Sequence, residues 1–325
     1  MPSTRGSPAP LAAVAVEPTP EPDPIRRALA IWFRSLSPWV ATQAVRGIHM
    51  LNSRGEITYG SLFSGSDITA RVFDKLADLF STVSGRDCHI FTPMFQCEAD
   101  AAKRIWLLEQ FADTGSRPGC KYLFGDAVEL AEQSKAYDHR SQSHKLVPKV
   151  DIVSAGFSCK SKSKLNKGRG SFRNCVQHED GETGTTFAHT KKFVEKKRPR
   201  VLFLENVVEL QDGGDDKSDC DYILDWLRSI GYSCECFRTD AIAFGSPARR
   251  LRLYFVAFEG DQSGFRIGMV RSFFSEMQAS SSLIPATSEY LFTARELTLN
   301  PIPISADGRG QRGDTGFDQV HEDGR

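Results

Sequence analysis

From Ile57 onward, short apolar runs alternate regularly with stretches in which apolar residues recur at helical spacing. This alternation is typical of a mostly parallel sheet whose strands are joined by crossover helices on both faces. The sequence therefore predicts an α/β fold. We expect seven strands, at Ile57 to Phe63, Ile90 to Cys97, Lys121 to Phe124, Val150 to Ser154, Val201 to Leu204, Ser233 to Ala243 and Arg252 to Phe258. We expect helices at Ile68 to Phe80, Ala99 to Phe111, Thr186 to Glu195 and Asp221 to Ser229, and polar loops at Ser141 to Ser143 and Gln211 to Asp219.

The composition is that of an ordinary globular chain, with 325 residues, 40% hydrophobic and 25% charged. Basic and acidic residues both number 41, so any nucleic acid would be bound by local patches rather than by overall charge. No apolar run approaches the length of a membrane span, and the amino terminus lacks a basic region followed by an apolar core. The eight cysteines lack the paired spacing of zinc sites. We expect an intracellular protein, nuclear if the source is eukaryotic, with no metal and no membrane partner.

Outside the α/β region the composition changes at both ends. Residues 1–24 are rich in proline and alanine and are predicted to form a disordered leader, with an organellar transit peptide as the alternative. Residues 25–56 are predicted to form a helical arm, with two short helices within Ile25 to Arg46 broken by Pro38. The segment from Gly308 to Arg325 is rich in glycine, aspartate and arginine and is predicted to be a disordered tail.

Three successive strands are followed by residues suited to binding a nucleoside. After the first, Ser61 to Asp67 form a small-residue turn that lets the backbone approach a ligand, and Asp67 or Ser66 can cap the next helix. Glu98 follows the second strand and suits ribose hydroxyls, or else complements a helix dipole. Asp126 follows the third and would accept an adenine amino hydrogen or serve as a helix N-cap. Together the three predict an adenosine pocket.

A thiol follows the fourth strand, within the stretch Val150 to Lys164. Cys159 should face a cleft, because the carboxyl ends of parallel strands form the ligand side of open α/β sheets. Taken alone, the motif fits a buried structural cysteine equally well. The basic segment that follows would favour the thiolate and attract a polyanion. Its members are Lys160, Lys162, Lys164, Lys167, Arg169 and Arg173.

Six segments in order resemble the cytosine carbon-5 DNA methyltransferase family, across roughly Thr58 to Ala257. They are SLFSGSD, FQCEAD, FGDAVEL, SAGFSCKSKS, VLFLENVVEL and FGSPARRLRLYFVA. The resemblance implies a Rossmann-like methyltransferase fold that uses S-adenosyl-L-methionine and acts on DNA. It implies a catalytic domain over residues 57–258, followed over 259–325 by a short degenerate recognition region and the tail. Cofactor binding is implied for Phe63, Ser64, Gly65, Glu98 and Asp126.

The resemblance also implies catalytic roles. Carbon 5 of cytosine is too electron-poor to take a methyl group directly, so Cys159 would first add to carbon 6 of a flipped-out base. Glu205, expected to be buried at the end of a strand, would neutralise the ring at nitrogen 3 and the exocyclic amine. Arg250 and Arg252 alternate with leucines and would share one face toward the base or its phosphates. Arg249 would face the other way as a solvated charge. The basic loop would clamp the substrate.

The chain departs from the family pattern at several positions. Ser158 and Lys160 stand where proline and glutamine are usual beside the nucleophile, and Ala248 stands where glutamine is usual. The region after Phe258 is short for a target-recognition domain. Two alternatives therefore remain open. One is a catalytically silent, methyltransferase-like DNA-binding or regulatory module, in which Glu205 simply caps the next segment. The other is methylation of cytosine in tRNA.

Overall fold

The structure is a computed structural model that describes residues 56–84, 90–112, 119–213, 217–244, 249–261 and 265–280. The predicted leader, the helical arm, Ala248 and the tail lie outside the described residues. The chain divides into two compact units, Met1–Thr287 and Ser288–Arg325, and all the described residues belong to the first.

The described chain forms one nine-stranded sheet, ordered β5-β4-β3-β2-β1-β6-β7-β9-β8. The strands are β1 (Ile57–Leu62), β2 (Phe91–Cys97), β3 (Tyr122–Phe124), β4 (Lys135–Asp138), β5 (Ser143–Leu146), β6 (Ile152–Ala155), β7 (Val201–Val207), β8 (Tyr232–Asp240) and β9 (Leu251–Glu259). The five central strands, in the spatial order β3-β2-β1-β6-β7, pair in parallel. Strands β4 and β9 run antiparallel to their neighbours. The predicted mostly parallel α/β sheet is confirmed.

The count of seven strands was too low. The two additional strands form a hairpin at the edge of the sheet, and Ser143 belongs to β5 rather than to the predicted loop. Each hairpin strand has four residues, with burial alternating along it, so neither contains the apolar run by which a central strand is recognised.

Six α-helices occur in the described residues: α1 (Ile68–Ser84), α2 (Ala101–Gln110), α3 (Ala127–Glu132), α4 (Gly181–Lys197), α5 (Asp219–Ser229) and α6 (Phe265–Ser280). Four of them correspond to predicted helices, and α3 and α6 were not predicted. Short 3-10 helices span Arg169–Phe172, Val208–Gln211 and Ala241–Phe244. None of the helices in this part of the chain is both long and apolar enough to span a bilayer.

Helices cover both faces of the sheet, as predicted. Successive strand residues belong to two different core clusters, because side chains alternate between faces along a strand. On one face Val153 of β6 packs in a cluster that includes Phe193 of α4 and Trp226 of α5. On the other face its neighbour Ile152 packs in a cluster with Phe73 of α1 and residues of α2.

The strand order reverses beside β1. From β1 the chain first builds β2 and β3 on one side, and later returns to place β6 and then β7 on the other. The carboxyl ends of β1 and β6 therefore diverge into different connections at the switch point, which leaves a crevice between them. In open doubly wound sheets this is where ligands bind.

Candidate active site

A cavity of about 690 Å³ opens at the switch point. Three segments supply much of its wall: the turn after β1, the carboxyl end of β6 with Gly156, and the ends of β7 and β9. Five of the predicted site residues line it, namely Phe63, Ser64, Gly65, Glu205 and Arg250. Four others, all within the described residues, are not among its lining residues: Glu98, Asp126, Cys159 and Arg252.

Glu98 holds the turn that forms one wall of this cavity. Its carboxylate accepts a hydrogen bond from the backbone N–H of Gly65 at 2.8 Å and another from that of Asp100 at 2.9 Å. The residue is only 8% exposed. Asp100, and not Glu98, caps α2, because its side chain accepts from the N–H of Lys103 at 3.0 Å. Glu98 is therefore a buried acceptor directly behind the glycine of the turn.

Asp67 closes the same turn from inside. Its side chain accepts from the N–H of Ala70 at 3.3 Å, so Asp67 caps α1, one of the two predicted caps. Ser61 and Gln96 donate to its other carboxylate oxygen at 3.0 and 2.7 Å. Burial raises the pKa of Asp67, and the hydrogen bonds from Gln96 and Ser61 oppose this only in part.

Asp126 is exposed and serves as the N-cap of α3. Its carboxylate accepts from the N–H of Val128 at 2.7 Å. The alternative function predicted for this residue, a helix N-cap, is therefore observed.

Cys159 lies just beyond β6 on a loop with a partly exposed thiol, whereas Cys97, Cys120, Cys175, Cys220 and Cys234 are buried. The reading of Cys159 as a buried structural cysteine is therefore wrong. The loop is fixed on two sides. The Asn206 amide donates to the carbonyl oxygen of Phe157 at 2.9 Å, and Thr186 Oγ1 accepts from the N–H of Ser158 at 3.0 Å. The loop is thus held between the end of β7 and the first turns of α4.

Three of the lysines that follow Cys159 are each paired with a carboxylate. Lys160 lies 3.0 Å from Glu182, Lys162 lies 2.9 Å from Asp219, and Lys164 lies 3.3 Å from Glu209. These three pairs offset part of the positive charge expected around the thiol. Sequence reasoning missed these partners because they lie 22 to 57 residues away in the chain.

Glu205 and Arg252 form an ion pair, with 2.8 Å between Oε1 and Nε. In the antiparallel register Val207 lies opposite Arg252, so both members of the pair lie on one face of the sheet. The Glu205 side chain is 33% exposed, so the expectation that it would be buried is wrong. The reason is that β7 continues to Val207 and carries Glu205 along the open cavity.

Arg250 is exposed at the mouth of this face and lines the cavity. Arg249 is also exposed, as expected for a solvated charge, and lies 3.2 Å from Asp240. The carboxylate of Glu205 also approaches the Cys159 loop, because a Cβ built on Gly156 would lie 3.7 Å from Oε2. The structure thus brings Glu205 and both predicted arginines to the strand end from which the Cys159 loop departs.

A doubly wound sheet with a ligand crevice at its switch point defines the Rossmann-like class of cofactor-binding domains. Within that class, residues 119–294 match the family of C-5 cytosine-specific DNA methylases. The match covers more than half of the chain, and the chain belongs to this family.

Curated relatives are similar over parts of their length. The Type II methyltransferase M.MspI of Moraxella sp. is 38% identical over 112 residues, which are 34% of this chain and 25% of the relative. The DNA (cytosine-5-)-methyltransferase DMT5 of Cryptococcus neoformans is 26% identical over 65% of this chain and 8% of its own length. M.NgoBI of Neisseria gonorrhoeae is 32% identical over 57% of this chain and 50% of its own length. The chain thus spans half or less of each.

Among solved structures, the S. pombe Dnmt2 methyltransferase matches with a TM-score of 0.38 and 12% identity, over 64% of this chain and 51% of that one.

Proposed function

We propose that this chain is a DNA (cytosine-5-)-methyltransferase that uses S-adenosyl-L-methionine and forms a covalent adduct through Cys159. One observation carries the proposal: a single cavity is lined by the Gly65 turn, by Gly156 at the start of the Cys159 loop, and by Glu205 and Arg250. Methyl transfer requires one cavity that holds the methyl donor and the pyrimidine ring side by side. Membership of the cytosine methylase family supports the same chemistry.

The cavity fits an adenosine-type cofactor. Phe63, Ser64 and Gly65 contribute a polar turn, and Phe203 and Leu76 contribute apolar wall suited to a base or a thioether. Glu98 lies behind this turn and holds the Gly65 N–H, so we assign it the role of supporting the cofactor turn. When bound, the cofactor would supply an electrophilic methyl group. Asp126, exposed at its N-cap, is the least supported of the five cofactor residues.

The remaining chemistry belongs to the protein. The Cys159 thiolate adds to carbon 6 of the flipped-out cytosine, and the electron pair moves to carbon 5. A proton held between the Glu205 carboxyl group and nitrogen 3 neutralises the charge that builds up on the ring, and the other Glu205 oxygen accepts from the exocyclic amine. Arg252 holds the Glu205 side chain in place. After methylation, loss of the carbon-5 proton to solvent expels the thiolate and restores the aromatic ring. Arg250, exposed beside this face, suits a phosphate of the DNA backbone.

The catalytic domain extends beyond residue 258 in this proposal. Helix α6 packs on the outer strands through a cluster of Phe237, Val256 and Ile267, and the rings of Phe237 and Phe274 are 4.8 Å apart. We therefore include residues through Ser280 with the domain and leave the recognition function to residues beyond it.

The test uses the full chain, S-adenosyl-L-methionine and oligonucleotides that contain 5-fluorocytosine, which cannot lose the carbon-5 substituent. We expect a denaturant-resistant adduct with DNA that is absent in Cys159→Ser. The variant Cys236→Ser, which alters the other partly exposed thiol of the described chain, should retain it. Cofactor binding without an adduct on either nucleic acid would indicate a silent module instead. An adduct with RNA alone would transfer the proposal to tRNA.

A further inference from the structure

A buried ion pair lies three residues beyond Cys159 and has no part in the chemistry above. The Nζ atom of Lys162 is 2.9 Å from Oδ2 of Asp219, and the two side chains are 6% and 0% exposed. Oδ1 of Asp219 also accepts from the N–H groups of Val176 and Gln177, at 3.1 and 3.2 Å. One carboxylate at the start of α5 therefore joins both ends of the segment between Lys162 and Gln177.

Burial of this pair is difficult to explain by stability alone. Removing two charges from water costs several kcal/mol per ion, and apolar replacements of buried pairs are often as stable or more so. Lys160 and Lys164 show that the same loop also forms pairs with well-exposed lysines. A buried pair does, however, restrict its partners to one geometry more strictly than an apolar contact does.

The geometry fixes the turn that contains the nucleophile. The carbonyl oxygen of Cys159 accepts from the N–H groups of Lys162 and Ser163 at 3.1 and 2.8 Å, so Cys159 and Lys162 belong to one tight turn. The side chain of Lys162 leaves this turn toward Asp219, which is itself held in the first turn of α5. A displacement of Lys162 would therefore turn the backbone of Cys159.

We propose that Lys162 and Asp219 are a positioning pair that sets the location of the Cys159 sulfur for attack on carbon 6. This inference rests on the proposed function, because it takes Cys159 to be the residue that attacks carbon 6. The positioning itself is a property of the loop and can be measured without catalysis.

The informative variant is Lys162→Met combined with Asp219→Asn. The asparagine oxygen can still accept from Val176 and Gln177, and methionine fills the space of the lysine stem. The variant therefore removes the ion pair together with the long 3.9 Å contact from Cys175 Sγ to Oδ2 of Asp219. Two rates are measured on the full chain: alkylation of Cys159 by iodoacetamide, located by peptide mass spectrometry, and adduct formation at saturating 5-fluorocytosine DNA. A matched control, Lys192→Met with Glu132→Gln, removes an exposed pair of 2.7 Å elsewhere on the surface.

We expect the Lys162/Asp219 double variant to alkylate several-fold faster and to form the adduct at least about tenfold more slowly, since small misplacements of a reacting atom are costly. Cofactor affinity and the denaturation midpoint should stay near those of the wild type, which separates positioning from loss of fold. The control pair should leave both rates unchanged. Wild-type alkylation and adduct rates in the double variant would overturn the inference. If the wild type forms no adduct at all, the proposed function fails, and the alkylation rate alone then decides whether the pair positions Cys159.

Discussion

The side-chain amide of Asn206 donates to the carbonyl oxygen of Phe157 at 2.9 Å, and this bond joins the strand of Glu205 to the loop of Cys159. The Asn206 side-chain oxygen is also engaged, because it accepts from the N–H of Val207 at 2.8 Å. Asn206 is 1% exposed, so neither bond is replaced by water when the side chain is removed. The residue after the proposed ring-stabilising acid thereby fixes the backbone two residues before the proposed nucleophile.

Asn206→Ala should lower the free energy of unfolding by about 1–3 kcal/mol, because it leaves a buried carbonyl without its donor. It should also slow adduct formation, since the loop loses its tie to β7. Urea denaturation followed by circular dichroism measures the first effect. Ser272→Ala is the control, because it removes an exposed side-chain bond to the carbonyl of Gly268 and should stay within about 0.5 kcal/mol of wild type. Equal stability of the two variants would contradict the prediction.

Tyr254 reports on the charges around the proposed catalytic acid. Tyr254 is 42% exposed, and partial desolvation of its ring raises its pKa. The negative charge of Glu205 raises it further, while Arg250 and Arg252 lower it. Glu205→Gln should therefore lower the pKa of Tyr254, and Arg252→Met should raise it. Ultraviolet difference titration of each variant against wild type measures both shifts. Glu235→Gln, which removes a carboxylate paired with Arg271, is the control. Shifts of the same sign in both test variants would exclude the arrangement described.

Asp67 should make stability depend on pH. Burial raises the pKa of Asp67 in the folded protein above its ordinary value of 3.8. The folded state therefore holds the proton to higher pH than the unfolded state, and stability falls as pH rises from about 4 through the folded pKa. Asp67→Asn removes this dependence, and asparagine tolerates the positive φ of 44° at this position.

The Asp67→Asn test is a series of denaturation curves from acidic to neutral pH. The advantage of the variant over wild type should be smallest near pH 4 and should grow as the pH rises. The side-chain oxygen of Gln96 is buried without a partner, and a flipped Gln96 amide could accept from the new asparagine. Asp100→Asn, at an exposed N-cap, should show no such growth at neutral pH. A constant difference between Asp67→Asn and wild type would refute the assignment.

Sequence periodicity was sufficient for the sheet and most of its helices, because burial on both faces gives central strands continuous apolar runs. The candidate site residues could be predicted for the same reason. Once β6 and β7 are located in the sequence, Cys159 is found just after β6 and Glu205 near the end of β7. The hairpin β4–β5 was not predicted, because its short strands lack such a run. The salt-bridge partners of the lysines were not predicted for a different reason. Lys162 and Asp219 are brought together by the packing of α5 against the loop, and no local pattern in the sequence encodes that contact.

Substitution by alanine should change the free energy of unfolding in opposite directions at two helical glycines. A Cβ on Gly184 of α4 would lie 2.2 Å from the carbonyl oxygen of Cys175 and 2.7 Å from the carbonyl carbon of Glu179, both backbone atoms. A Cβ on Gly268 of α6 would meet nothing within 4 Å. Gly184→Ala should therefore destabilise the fold by about 1–3 kcal/mol through overpacking. Gly268→Ala should stabilise it by up to about 1 kcal/mol, the difference in helix propensity.

Thermal and urea unfolding of both glycine variants give the comparison directly. Gly184→Ala should also raise the alkylation rate of Cys159, because the residues it displaces, Cys175 to Glu179, include the backbone N–H groups bound to Asp219. Gly268→Ala should leave that rate unchanged, since α6 packs against β8 and β9 at the edge of the sheet. If Gly184→Ala instead stabilised the fold, the segment from Cys175 to Glu179 would not pack on α4. The proposal that Asp219 positions Cys159 would then lose its support.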